Sequence, residues 1–124
     1  MYCPIYYIAG PIFGKENRNE PEFRRVELLV QEALEVITAI PHDIPPYHHS
    51  SGPCPDGRRS EGATHNEACY LRSDIRYMLQ VCEGIVLMQG WHTSHGARLE
   101  HTIATACGLR VFIVTPKDEV QRLY

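Results

Sequence analysis

The stretch from Gly84 to Gly108, GIVLMQGWHTSHGARLEHTIATACG, constrains the fold of this chain more than any other. Ile85, Val86, Leu87 and Met88 form an unbroken apolar run that stops at Gly90, the pattern of a strand buried on both faces. A polar loop follows, Trp91 to His95, and Gly96 then opens a segment of helical spacing. In it Leu99, Ile103, Ala106 and Cys107 trace one apolar stripe, with Gly108 as the C-terminal stop. In an open parallel sheet, the junction between a strand and the next helix is where ligands bind. Glu100 falls in the first helical turns, on a face shared with Ile103, Ala104 and Cys107. A carboxylate there is partly desolvated, while the nearby helix N-terminus helps to keep it ionised. That combination suits a nucleophile.

The rest of the chain supplies the other layers. Ile5 to Ala9 reads as a first strand, stopped by the turn Gly10-Pro11. Asn19 caps a helix with Pro21 in its first turn, and Phe23, Val26, Leu29, Val30, Ala33 and Leu34 form its apolar face. Val36 to Ile40 is a second strand. Pro41 to Asn66 has no periodicity and holds five prolines, three glycines and four histidines, a length typical of lids and binding segments. From Glu67 the helical period returns through Leu71, Ile75, Met78, Leu79 and Cys82, which sets Asp74 on or beside the inward stripe. Leu109 to Val114 is a last strand, and Pro116 to Tyr124 is expected to form a short final helix. The order βαβαβαβ predicts an α/β fold with a single doubly wound, mostly parallel sheet of four or five strands, flavodoxin- or Rossmann-like, with helices on both faces. Residues 1–124 make one domain with a long loop insertion at 41–66. In that layout the Gly10-Pro11 turn lies beside the Trp91–His95 loop.

Composition removes several function classes. With 44% hydrophobic and 22% charged residues the chain is not of the disordered class. A net charge of −3 and a pI near 6.1 argue against a nucleic-acid polymer as partner, although not against a single nucleotide in a pocket. The five cysteines, Cys3, Cys54, Cys69, Cys82 and Cys107, are odd in number and scattered. They read as reduced thiols of a cytoplasmic protein, mostly small core residues. No signal peptide is expected, and no apolar run is long enough to span a bilayer.

Three groups converge under the expected topology: Tyr7 near the end of strand one, Asp74 on the second helix and Glu100 on the third. Two carboxylates and a phenol over one crevice suit chemistry at an anomeric carbon, one carboxylate attacking and the other protonating the leaving group. Ser94, Gly96 and the free amides at the helix start make an anion pocket.

The segments YIAGPIFG, LRSD and GIVLMQGW-x-x-S-x-GARLEH-x-x-A-x-x-x-GL-x-V resemble the nucleoside 2-deoxyribosyltransferase-like superfamily, and within it the small DUF4406-type branch. The resemblance covers nearly the whole chain outside 41–66, and its most specific piece is the strand followed by S-x-G-x-x-x-E. It implies Glu100 as the nucleophile, Asp74 as the acid serving the nucleobase, and Tyr7 as the hydrogen-bond partner of the nucleophile. The residues themselves make Gly10, Pro11, Trp91, Ser94 and Gly96 the expected substrate contacts, Trp91 by stacking on the base. Transferases for free nucleosides carry an aspartate where Ser94 stands; the similar nucleoside 5′-monophosphate N-glycosidases carry serine. A hydroxyl donates to a phosphate where a second anion would repel it, which tilts the expectation to a monophosphate and to hydrolysis. Ala97 replaces a common threonine, so one anchoring hydroxyl is missing. Deoxyribosyl transfer and a non-catalytic nucleotide sensor stay open as alternatives.

Plainer readings exist for each residue. Asp74 could pair with Arg72 or Arg76 on a helix surface, Ser94 could be only an N-cap, Tyr7 could merely fill a strand position, and Trp91 could plug the sheet edge. His42, His48, His49 and His65, with Cys54 and Asp43, could assemble a zinc site and make the chain a metal-dependent scaffold, but they match no familiar zinc spacing, so neither metal nor cofactor is expected. The expected partners are a small-molecule nucleotide or nucleoside and a second copy of the chain, because a pocket in so small a domain is shallow. The second and third helices and the C-terminal QRLY are the candidate contact surfaces.

Overall fold

A computed structural model describes residues 3–49 and 52–124; Met1, Tyr2, Ser50 and Ser51 lie outside the described residues. The strands are β1 (Ile5–Ala9), β2 (Ile37–Ala39), β3 (Gly84–Leu87), β4 (Arg110–Val114) and β5 (Val120–Arg122). The helices are α1 (Glu20–Leu34), α2 (Glu67–Val81) and α3 (His95–Ala106). The sheet order is β2-β1-β3-β4-β5, parallel except for β5. This is the flavodoxin-like arrangement, with its switch point between β1 and β3.

Alternation along β1 explains the two layers. Tyr7 and Ala9 point to one face, where Ile85, Leu87 and Val111 meet Met78 of α2 and Ala97 and Ala104 of α3. Tyr6 and Ile8 point to the other, where Val86, Met88 and Val114 meet Phe23, Val26 and Val30 of α1. All four residues of β3 are buried, as its unbroken apolar run requires. Register pairs Tyr7 with Ile85 and Ala9 with Leu87, so β1 and β3 end level. A Cβ on Gly10 would stand 2.7 Å from Met88 Sδ and 2.9 Å from Met88 Cβ. Glycine is therefore what lets the chain leave β1 against its neighbour.

Several expectations are corrected. The C-terminal segment is not a helix: it turns back and pairs β5 antiparallel to β4, Val114 opposite Val120. Nine residues beginning with a proline-containing turn are too few to pay for helix nucleation alone, while the edge of β4 offers ready partners. The Thr115 hydroxyl accepts from the amides of Lys117 and Glu119 and so closes the turn. The buried face of α3 is also rotated from the expected stripe. Ala97, Glu100 and Ala104 face the sheet, whereas Leu99, Ala106 and Cys107 are exposed. Small residues let the helix lie close to the strands, and that closeness carries Glu100 inward. Asn19 occupies the N-cap position of α1 without capping it; its Nδ2 instead donates to the Pro11 carbonyl at 2.9 Å, tying α1 to the turn after β1.

Candidate active site

The turns after β1 and β3 and the first turns of α2 and α3 enclose a cavity of about 280 Å³. Its position outside the carboxyl ends of the strands at the switch point is where such sheets bind ligands. Gly10 and Pro11 line it from β1, Ser94 and Gly96 from the start of α3, and Asp74 and Glu100 from the helices.

Tyr7 lies beneath, fully buried, and its hydroxyl donates to Glu100 Oε2 at 2.5 Å. Asp74 and Glu100 are 3% and 4% exposed and are the two buried charged residues among those described. Burial pushes the Glu100 carboxyl up from its ordinary value, and the Tyr7 hydrogen bond offsets that in part. Burial pushes Asp74 up too; the charge on Glu100 pushes it further, with Arg18 and Tyr7 acting the other way. Two carboxyls that repel each other in a dry site do not both ionise at neutral pH. Because the phenol donates to Glu100, the pair holds its negative charge there and its proton on Asp74. Burial, with Glu100 and Asp74 close by, raises Tyr7 well above the usual phenol range, so it stays a donor.

Asp74 makes no ion pair with Arg72, whose guanidinium lies over the Tyr47 ring, or with Arg76. Among the described residues its Oδ1 is buried without a hydrogen-bond partner, and so is Nε of Arg18, another wall residue. Orphaned polar atoms on a cavity wall call for a polar occupant.

Ser94 is indeed the N-cap of α3: its Oγ accepts from the Ala97 amide at 3.2 Å, leaving the hydroxyl proton free to donate outward. The His95 and Gly96 amides precede the first carbonyl-bonded turn and have no helical acceptor. Trp91 is not a cavity residue. It sits half-buried in the turn before Ser94, its ring 4.8 Å from that of His101 and packed on the core. The aromatic walls are Phe13 and Tyr70 instead.

Sequence reasoning missed the basic lining: Lys15, Arg18, Arg58 and Arg98, four of the chain's twelve Lys and Arg. Against them stand Asp74 and Glu100, which share one charge, and Glu67, which Arg58 already pairs at 2.5 Å. An acidic protein thus presents a cationic pocket. One signal was present: Arg98 in the first turn of a helix opposes the macrodipole, a local conflict that marks a functional position.

The long loop brings together a second group. His49, Cys54 and His65 meet Cys69 of α2, their ligand-type atoms all within 4.8 Å of one another. His42 and Asp43 are elsewhere: His42 bonds the Arg18 carbonyl, and Asp43 pairs with Arg24. Cys69 had passed as a small core thiol.

Fold and site together define a doubly wound α/β domain with a carboxyl pair at the switch point of its sheet. The chain belongs to the family described as a domain of unknown function, DUF4406, whose model matches residues 4–113, a span that includes Tyr7, Asp74, Glu100 and the whole long loop. No curated protein matches the sequence.

Proposed function

We propose that this protein cleaves the N-glycosidic bond of a nucleoside or deoxynucleoside 5′-monophosphate and releases the free base. The observation that carries the reading is the Tyr7–Glu100 hydrogen bond of 2.5 Å beneath a cavity that Asp74 also lines. Glu100 Oε forms a bond to C1′ as the C1′–N bond breaks, and the Asp74 proton passes to the departing base nitrogen. Water then attacks C1′, gives its proton to Asp74 and frees Glu100. Tyr7 positions Glu100 and keeps it ionised. The Ser94 hydroxyl, the Gly96 amide and the Arg98 guanidinium hold the phosphate, and the basic lining supports that choice of substrate. Phe13, on the wall, carries the Arg58 guanidinium 4.0 Å over its ring, a flat stack beside which the base is held.

The chain acts in the cytoplasm as a homodimer. Its five cysteines are free, no helix among the described residues is long and apolar enough to cross a membrane, and Leu79, Val81, Leu99, Leu123 and Tyr124 leave apolar surface on α2, α3 and the C-terminus. Light scattering on the purified chain checks the dimer.

The central test is incubation with a panel of ribo- and deoxyribonucleotides, followed by chromatography for free base. Base release that vanishes in Glu100→Ala is the expected outcome. Transfer of the sugar to an added second base would reassign the protein to deoxyribosyl transfer. Thermal stabilisation by a nucleotide with no base released from any of them would make it a sensor.

A further inference from the structure

We propose that His49, Cys54, His65 and Cys69 form a structural zinc site that fastens the 41–66 loop to the start of α2. The four residues offer two sulfurs and two ring nitrogens, the donor set of closed tetrahedral zinc sites. With Zn–S of about 2.3 Å and Zn–N of about 2.0–2.1 Å, a tetrahedron sets its sulfurs about 3.8 Å apart and a sulfur and nitrogen about 3.6 Å apart. Cys54 Sγ lies 3.8 Å from Cys69 Sγ and 3.6 Å from His65 Nδ1. Two edges of the polyhedron are therefore already in place.

Two further observations point to a ligand. Both ring nitrogens of His49 are buried with no hydrogen-bond partner among the described residues, although one of them must carry a proton or be charged. A metal bond satisfies one of these nitrogens. The second observation concerns the loop: none of its described residues between Pro45 and Asn66 is buried. A segment of that length with no apolar core does not repay the entropy of ordering it. Yet its backbone is fixed against α2, with the Tyr47 amide on the Cys69 carbonyl at 2.9 Å and the Glu67 amide on the Arg58 carbonyl at 2.7 Å. A metal crosslink supplies what the missing core does not.

Binding is balanced in charge. Zn²⁺ enters, the Cys54 and Cys69 thiols each release a proton to solvent, and the two imidazoles bind neutral, leaving a site of zero net charge. Cys69 lies in the first turn of α2, so the metal would tie the loop to the start of that helix. Arg58 and Ser60, both on the cavity wall, lie between Cys54 and His65. The metal thus fixes one wall of the crevice without touching its chemistry.

The test uses the full chain, purified reduced and without added metal. Elemental analysis should find about one zinc per chain, and replacement by Co²⁺ should give the intense visible bands of tetrahedral thiolate coordination. Cys54→Ser and His65→Ala should lose the metal, while Cys107→Ser and His48→Ala, at exposed positions outside the cluster, should keep it. Cys54 is in the loop, so its variant remains informative if Cys69→Ser does not fold. Removing the metal with a chelator should speed tryptic cleavage after Arg58 or Arg59 by about tenfold or more, with circular dichroism unchanged. A reduced chain that neither carries zinc nor binds added zinc tighter than micromolar would overturn the proposal. So would zinc retained by Cys54→Ser, or a Cys54–Cys69 disulfide as the stable form in the presence of zinc and reductant. None of these measurements depends on base release, so this inference and the proposed activity can fail separately.

Discussion

The crevice at the switch point and the 41–66 loop each gather polar side chains from distant parts of the sequence, but they are held in different ways. Tyr7, Asp74 and Glu100 stand on a strand and two helices whose other residues fill the core, so burial elsewhere fixes their positions. His49, Cys54 and His65 stand on a segment that buries almost nothing of its own and is fixed at its edges by hydrogen bonds to α2. Polar groups in the first region can be desolvated and tuned because the scaffold tolerates the cost. Those in the second contribute to the order of the segment that carries them. The expected consequence is that damage to the first removes chemistry and spares the fold, whereas damage to the second loosens structure first.

The largest effect should come from Glu100→Gln. Base release should fall by on the order of 10⁴ or more, as when a covalent nucleophile is removed, with no loss of melting temperature. A variant that melts well below the wild type would instead make Glu100 part of the scaffold and break the contrast. Asp74→Asn comes next, with a loss of about 10²–10⁴ for a general acid. The alkaline limb of the pH–rate profile should disappear with it, and a substrate whose base leaves without protonation should recover most of the rate. Arg98→Ala should raise KM for a monophosphate by about ten- to a hundredfold, the worth of a charged hydrogen bond, and leave the corresponding nucleoside unaffected. Equal effects on both substrates would move the phosphate away from the start of α3.

The smallest effect is on stability, and its sign follows from the direction of the shift. Asp74 holds its proton in the folded state up to about 9, while in the unfolded chain it releases it near the ordinary carboxylate value of about 4. Between those limits the unfolded state binds fewer protons, so stability falls as pH rises. The amide of Asp74→Asn cannot ionise. Its melting temperature relative to wild type should therefore climb steadily from pH 5 to pH 9, as calorimetry would show. A flat difference would mean that Asp74 is solvated.

Much of the architecture was legible because apolar runs and helical spacing report burial directly. The unbroken β3 run, the Gly10-Pro11 stop and the capping Ser94 all lie where pattern placed them. Misses fell where local pattern and packing disagree. In α3 the larger apolar residue Leu99 faces solvent and small alanines face the sheet, because helix and strands approach closely there. The segment after Pro116 became a strand because β4 had an open edge. Trp91 was assigned by residue type to a ligand and packs on His101. Arg18, Arg58 and Cys69 carried no sequence signal of their own, since their meaning arises from residues far away in the chain.

Sequence alone determined the layered α/β scaffold, the switch point and the elements on which Tyr7, Asp74 and Glu100 ride, because periodicity and turn chemistry act over a few residues. Only the tertiary structure decided which carboxyl keeps its proton, that the crevice is cationic, and that two histidines and two cysteines converge at the start of α2. Those properties depend on distance and desolvation between groups separated by tens of residues, and spacing along the chain encodes neither.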